Sequence, residues 1–524
     1  MLTRPAASVA ALGLMLTAAL AQAAPDVTAP APQADVMGDG PRSAIDWLTD
    51  PASLMRLIIE PEAEREQSRE PIQTTLLGGP TLGGVGLLSP LITGLPQDTF
   101  SNARPERLLT LVSDLRPSDL PALQDLALVL LLAELTPPTT ADGGTALLRT
   151  RVERLIAFGA IDQAQALLEL AGADTPKLFD LWFDVSLLSG DDAQACATLR
   201  KAPDLTRDLG ARVFCLSRGD DWAAGSLTLE AGRALGAIST ADALLLSQFL
   251  DPEAYEGTPL PPLPATMTPL RFRLLDGLGE PPATLALPLA YAVSDLRDTI
   301  GWKAQIEAAE RLVRTQAIAP ERLRALYTAR KPAASGGVWD RATAFQAFDT
   351  ALQSGDPGAI ANALPEVWAA MSRAGLQVPF ARMFGADLTD LPLAPAAAQL
   401  AFKIGLLSKD FEKVAVSAER SDLPRDVFAR SIAMGVAGDP RGLGPLAEAI
   451  TLGFSLSQVP EPFATLVADD RLGEALLRVL LLLQDGAQSD PGDIAAALVL
   501  LRTNGLEPVA RQAALQLLLM ERPI

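Results

Sequence analysis

The chain has 524 residues, with 43 Lys and Arg against 63 Asp and Glu, a net charge of −20. That balance excludes the phosphate neutralisation on which nucleic-acid binding rests, and such a length exceeds one compact core, so several domains or a repeat array is expected. Aromatics are only 5% and histidine is absent; the first favours stacked helices over a sandwich or barrel, and the second removes Ser-His-Asp, Cys-His, H-E-x-x-H and His-ligated zinc or haem chemistry.

Residues 1–23 read as a cleavable signal peptide. Arg4 supplies the positive charge, Val9 to Leu20 the apolar run, and Ala21-Gln22-Ala23 the small residues before scission after Ala23. The run is too short to span a bilayer, which needs roughly 20 apolar residues. No twin-Arg pair precedes it and no Cys lies near the cleavage point, so the expectation is general secretion, a mature chain without a transmembrane segment, and a periplasmic location. Residues 24–42 are a Pro/Ala-rich leader, expected to be disordered. Residues 43–104 form an irregular N-terminal segment: an amphipathic stretch from Ile45 to Ile59, a charged run from Glu60 to Glu70, then Pro71 to Pro96. The density of Gly and Pro in the last part predicts an extended segment lying along the helical body. Its Gly83-Gly84-Val85-Gly86 stretch reads as a turn or close backbone approach, since no Lys-Ser/Thr follows to make a phosphate cradle.

From Pro105 the pattern is helix after helix. The spacing predicts helices over Pro105 to Leu115, Leu120 to Leu135, Gly144 to Phe158, Asp162 to Ala171, Pro176 to Leu188, Asp191 to Lys201, Arg207 to Ser217 and Trp222 to Leu235. Leu178, Leu181, Trp182, Val185 and Leu188 recur at three- and four-residue steps and put an apolar stripe on one face. The joints also recur, around Gly159, Gly190 and Gly219, with Gly expected to end one helix left-handed and Asp to cap the next. Later joints are read at Gly355-Asp356-Pro357 and Gly438-Asp439-Pro440. The expected architecture is therefore all-α, an α-solenoid of irregular helix hairpins behind a Gly/Pro-rich extended segment. Residues 105–257 form a first block, 258–269 a Pro-rich linker and 270–524 a second block. Short apolar runs such as Leu126 to Ala133 and Val479 to Leu483 read as buried helices.

Cys196 and Cys215 are the only cysteines. They fall on consecutive predicted helices, level across an antiparallel hairpin centred near Pro203 to Thr206. In an oxidising compartment this favours a disulfide over two buried free thiols, and both over a redox couple, because no C-x-x-C spacing is present.

The segments LIAFGAIDQAQALLELAG and LLSGDDAQACATLR, with Ala164, Ala195 and Ala224 where two helices would touch, resemble helix-turn-helix units of tetratricopeptide-like proteins. The whole chain also resembles exported helical-repeat proteins of alphaproteobacteria, some of which carry an antifreeze-glycopeptide label. The resemblance implies an architecture and a compartment, and transfers no active site.

No G-x-S-x-G elbow or S-x-x-K dyad is present, and no cofactor or metal is expected. Asp191-Asp192, Asp220-Asp221 and Asp469-Asp470 read as caps or solvated turns, and Arg218-Gly219-Asp220 as part of a joint. The candidate partner contact is the segment containing Arg330, Lys331, Ser335, Gly336, Gly337, Trp339 and Arg341, which sets cations and an aromatic beside a Gly pair; the competing reading packs Trp339 into the core. Trp302 and Lys303 raise a similar question. The functional expectation is a soluble periplasmic scaffold or adaptor that binds an envelope protein or peptide without catalysis. The alternative is an envelope enzyme acting on peptidoglycan or another glycan, or its regulatory subunit, with two carboxylates as its chemistry.

Overall fold

The structure is a computed structural model that describes residues 81–417 and 421–520. The signal-peptide and leader readings, and the amphipathic stretch from Ile45 to Ile59, lie outside the described residues. Those that are described are all-α. In chain order the helices are α1 (Pro90–Thr93), α2 (Pro105–Asp114), α3 (Pro121–Leu132), α4 (Thr145–Ala157), α5 (Ile161–Leu170), α6 (Phe179–Ser189), α7 (Ala193–Lys201), α8 (Leu209–Ser217), α9 (Trp222–Ala234), α10 (Thr240–Leu250), α11 (Pro269–Gly277) and α12 (Trp302–Arg314). They continue as α13 (Pro320–Thr328), α14 (Val338–Ser354), α15 (Pro357–Arg373), α16 (Gln377–Thr389), α17 (Pro395–Leu406), α18 (Phe411–Ser417), α19 (Pro424–Ala433), α20 (Pro445–Ser455), α21 (Phe463–Ala468), α22 (Leu472–Leu482), α23 (Pro491–Thr503) and α24 (Glu507–Leu519).

A chain with 42 prolines becomes helical because so many of them stand in first turns, as in α2, α3, α11, α15 and α23, where the missing N–H is no loss. Successive helices pack as hairpins: α5 on α6, α8 on α9, α14 on α15 and α16 on α17. The stripe of Leu178, Leu181, Trp182, Val185 and Leu188 is buried. The buried apolar side chains form one cluster running from Leu88 to Leu519.

The joints are part glycine geometry and part packing. Gly159 and Gly190 have φ of 76° and 87°, the left-handed turn expected. At the third joint that conformation belongs to Asp220, at φ 61°. Gly219 lies against Arg200, whose guanidinium a Cβ would approach to 2.7 Å. Likewise Gly438 faces the Phe428 ring, and Asp439 pairs with Arg441 instead of capping a helix. Asp221 and Asp356 do cap α9 and α15, but Asp192 is drawn into ion pairs with Arg218 and Arg273. Ala164 and Ala195 are fully buried, while on α9 the close contact moves one residue on, to Gly225.

The later helices lock onto these joints. Thr315 Oγ1 donates to the Phe158 carbonyl at 2.7 Å and Ser294 Oγ to the Leu188 carbonyl at 3.1 Å. Residues 258–268 are not helical and are tied back by Gln248 Nε2, which donates to the Thr258 carbonyl.

The helical run also closes on itself through α3, whose residues from Ala122 to Leu132 are all buried. A helix apolar on every side belongs inside, and α3 is flanked by α4 and by the C-terminal helices α22 and α24. At its N-terminal end, Gln516 Oε1 on α24 accepts the Ala122 N–H at 2.9 Å. Asp125 forms an ion pair with Arg382 on α16, both side chains being nearly inaccessible. Burial outweighs the attraction of Arg382 and pushes the Asp125 carboxyl up to about 6.

At its C-terminal end, the wholly buried Arg151 donates to the carbonyls of Leu131 and Ala133 at 2.8 and 2.9 Å, and to those of Gly83 and Val85 at 3.1 and 2.7 Å. One guanidinium thus clamps the glycine-rich segment onto the end of α3. Gly86 lies so close that a Cβ there would fall 2.2 Å from the Ala133–Glu134 backbone. From Thr81 on, the segment read as extended does run along the helical body, bridged at Leu88–Ala133, and its glycines serve close approach. The second seam joins α22 to the start of α2: the Gly473 N–H donates to the Thr99 carbonyl at 3.0 Å, and buried Glu474 accepts the Arg104 N–H at 2.8 Å.

Cys196 and Cys215 form a disulfide between α7 and α8, with Cα atoms 4.8 Å apart and both side chains buried.

Two predictions follow the packing. Replacing Arg382 by Met leaves Asp125 buried without its partner and is expected to lower stability by about 3–5 kcal/mol, whereas R382M combined with D125L recovers most of the loss, as urea unfolding of the three variants will show. Closing the loop between the cysteines is worth about 3 kcal/mol in the chain-entropy model, so the double Ala variant should lose stability of that order. Thiol titration of the denatured, unreduced protein should find none.

Candidate functional site

A cleft of about 510 Å³ opens where the N-terminal end of α3, the last residue of α12, the α15–α16 turn, the Gly486-Ala487 segment and α24 come together. Its size falls in the range of ligand sites. Leu120, Val378, Leu517 and Met520 give it apolar walls, and its charged residues are Asp119, Arg314 and Arg373.

Both arginines are exposed and sit about one turn of chain. Arg314 Nε donates to the Ala374 carbonyl at 2.8 Å, and Arg373 Nε to the Ala369 carbonyl at 3.2 Å. Gly375, left-handed at φ 67°, makes the bend that carries the chain from Arg373 into α16. A smaller hollow shares Pro121, Arg314, Gly375 and Val378 with the cleft and extends it towards Gln316, Pro320 and Arg382.

The segment singled out in the sequence lies elsewhere and divides in two. Arg330, Lys331, Ser335, Gly336 and Gly337 are exposed, and the Gly336 N–H is accepted by Asp340 Oδ1 at 2.8 Å, fixing the bend before α14. Trp339 instead packs against Trp302, ring centroids 5.1 Å apart, and Trp302 Nε1 donates to the Leu326 carbonyl at 2.7 Å. Arg341 is turned inward in a two-point pair with buried Glu310, at 2.8 and 2.6 Å. Glu310 also accepts the Tyr327 hydroxyl at 2.7 Å, and burial next to Glu310 holds that phenol well above its usual range. The two residues best suited to anchor a partner are therefore committed to packing, and Lys303 pairs with Glu307.

The acidic pairs serve turns: Asp220 and Asp470 are left-handed, and Arg471 reaches Asp469 at 3.9 Å. Another carboxylate is more perturbed. Asp184 on α6 is pushed up to about 7, first by burial and then by the charges of Asp180 and Asp208. None of the three lines the cleft. Among the described residues there is no group of three or more potential ligands placed to hold a metal ion, and no helix is long and apolar enough to cross a membrane.

These features define an all-helical protein of stacked hairpins, closed through a buried central helix. Comparison with family models, with curated proteins and with solved structures finds no match.

Asp184 generates a prediction with a definite sign. Its carboxyl is raised in the folded protein, so its contribution is fully present below the unfolded value near 3.8 and is lost as pH rises through about 7. D184N should therefore raise the melting temperature by a few degrees at pH 8, with the gain vanishing by pH 4.

Proposed function

We propose that this chain is exported to the periplasm and acts there as a helical scaffold or adaptor that binds an envelope protein or peptide in the cleft beside α3. The observation that carries this reading is the construction of the cleft. Four stretches far apart in sequence, around Ser118–Pro121, Arg314, Arg373–Val378 and Gly486–Met520, line one hollow with both apolar surface and guanidinium groups, the mixture that makes interface anchors. The Cys196–Cys215 disulfide supports an oxidising compartment, in keeping with the signal-peptide pattern of residues 1–23.

A second reading, an enzyme acting on peptidoglycan or another glycan, draws on Asp184. A carboxyl held near neutrality beside Asp180 and Asp208 has the character of a general acid in glycoside cleavage.

The experiment is site-specific photocrosslinking in cells, with a benzophenone side chain at Met520 on the rim of the cleft and, as control, at Lys331. The expected result is a periplasmic chain beginning at Ala24 that captures one reproducible protein from Met520 and not from Lys331. A cytoplasmic chain, or no capture specific to Met520, overturns the adaptor. Glycan release by the purified protein that is lost in D184N establishes the second reading in its place.

A further inference from the structure

We infer that the cleft recognises carboxylates: its occupant is an extended, acidic segment of a protein partner, with Arg314 and Arg373 as the cations that grip it. This deepens the adaptor reading and rests on it.

In a chain of net charge −20, two guanidinium groups border one cleft: Arg314, which bonds the carbonyl of Ala374, and Arg373, which bonds that of Ala369. Neither has an ion-pair partner among the described residues, and each spends only its Nε on a backbone carbonyl. Glu310 lies within Coulomb range of Arg314, but its two oxygens are occupied by Arg341 and Tyr327. The terminal nitrogens of each guanidinium form a fork that matches a carboxylate.

The surrounding backbone adds to the same sign. Helices α3 and α16 both begin at this cleft, and neither is capped by the side chain of its own N-cap residue, although Gln516 accepts the Ala122 N–H of α3; both helix ends turn their positive pole toward the space the arginines flank. Asp119 is the one acidic residue on the wall.

The shape argues for a peptide over a compact anion. The cleft runs on past Arg314 into the hollow beside Pro320 and Pro379, and its accessible apolar surface is that of Pro121, Ala374, Ala487 and Met520, laid over buried Leu120, Val378 and Leu517. An extended strand whose side chains alternate between faces can set acids against the arginines and apolar side chains against those walls.

The test uses fluorescence anisotropy of the full mature chain with a fluorescein-labelled, C-terminally amidated hexapeptide of alternating Glu and Leu, against the same peptide with Gln for Glu. Charge-assisted bonds of this kind predict binding of the Glu peptide that is about tenfold or more tighter than that of the Gln peptide. They also predict weakening of about tenfold in R314Q and in R373Q, partial recovery in R314K, and no change in R330Q. Circular dichroism should show all these surface variants folded. Absence of binding, equal affinity for the two peptides, or indifference to both arginine substitutions overturns the inference. Complete displacement by millimolar inorganic phosphate also overturns it, by assigning the cleft to a small anion. The photocrosslink from Met520 separates the two levels: a partner captured equally by wild type and R314Q leaves the adaptor standing without its carboxylate grip, while Glu-peptide binding with no captured protein does the reverse.

Discussion

Everything in this fold turns on the requirement that a helix buried on all sides must find partners for both its ends inside the protein. Four N–H groups and four carbonyls of any helix lack intrahelical partners, and for α3 water is largely excluded. At one end the answer comes from Gln516, with Arg382 balancing the Asp125 carboxylate one turn in. At the other, Arg151 binds the Leu131 and Ala133 carbonyls together with those of Gly83 and Val85. Burial lowers the Arg151 guanidinium to about 10, which leaves it cationic at neutral pH, and the negative end of the helix dipole gives that charge a counterpart. The glycine-rich stretch has its explanation here, because only a backbone without Cβ approaches the end of α3 this closely.

The cleft is a consequence of the same closure. Helices that satisfy the start of α3 must converge on it from three parts of the chain, and side chains cannot fill all the space between convergent helix ends. The space left is bounded by helix termini and by the long side chains that reach them, so its character is polar and positive even though the protein as a whole is acidic. Stability and site are thus two outcomes of one arrangement.

Local chemistry was legible in the sequence, and tertiary chemistry was not. Helix boundaries from Pro105 to Leu235 could be read to within a few residues, because apolar periodicity and Pro at first turns act within a few residues. The pairing of Cys196 with Cys215 was legible for the same reason, since a hairpin relates near neighbours. The glycines at 219 and 438 do not make the left-handed turns expected of them: at 219 that turn belongs to Asp220, and Gly438 is needed for room beside the Phe428 ring, which looks the same in sequence as a Gly needed for a turn. For Trp339 the sequence left anchor and core both open, and the contact with Trp302 decides for packing; Arg341 is held by Glu310, a partner 31 residues away that gives no local signal. Arg314 and Arg373 carried no local signal at all, being 59 residues apart in sequence and joined only by the α15–α16 turn.

The bond between Ala122 and Gln516 spans 394 residues, and this separation imposes an order of events on a chain that is delivered N-terminus first. The stretch from Leu126 to Ala133 is apolar and buried, yet α24, one of the helices that cover it, follows hundreds of residues later in the chain. Until then it is an exposed hydrophobic segment of the kind that aggregates or engages chaperones, and the loop that must be closed is a long one.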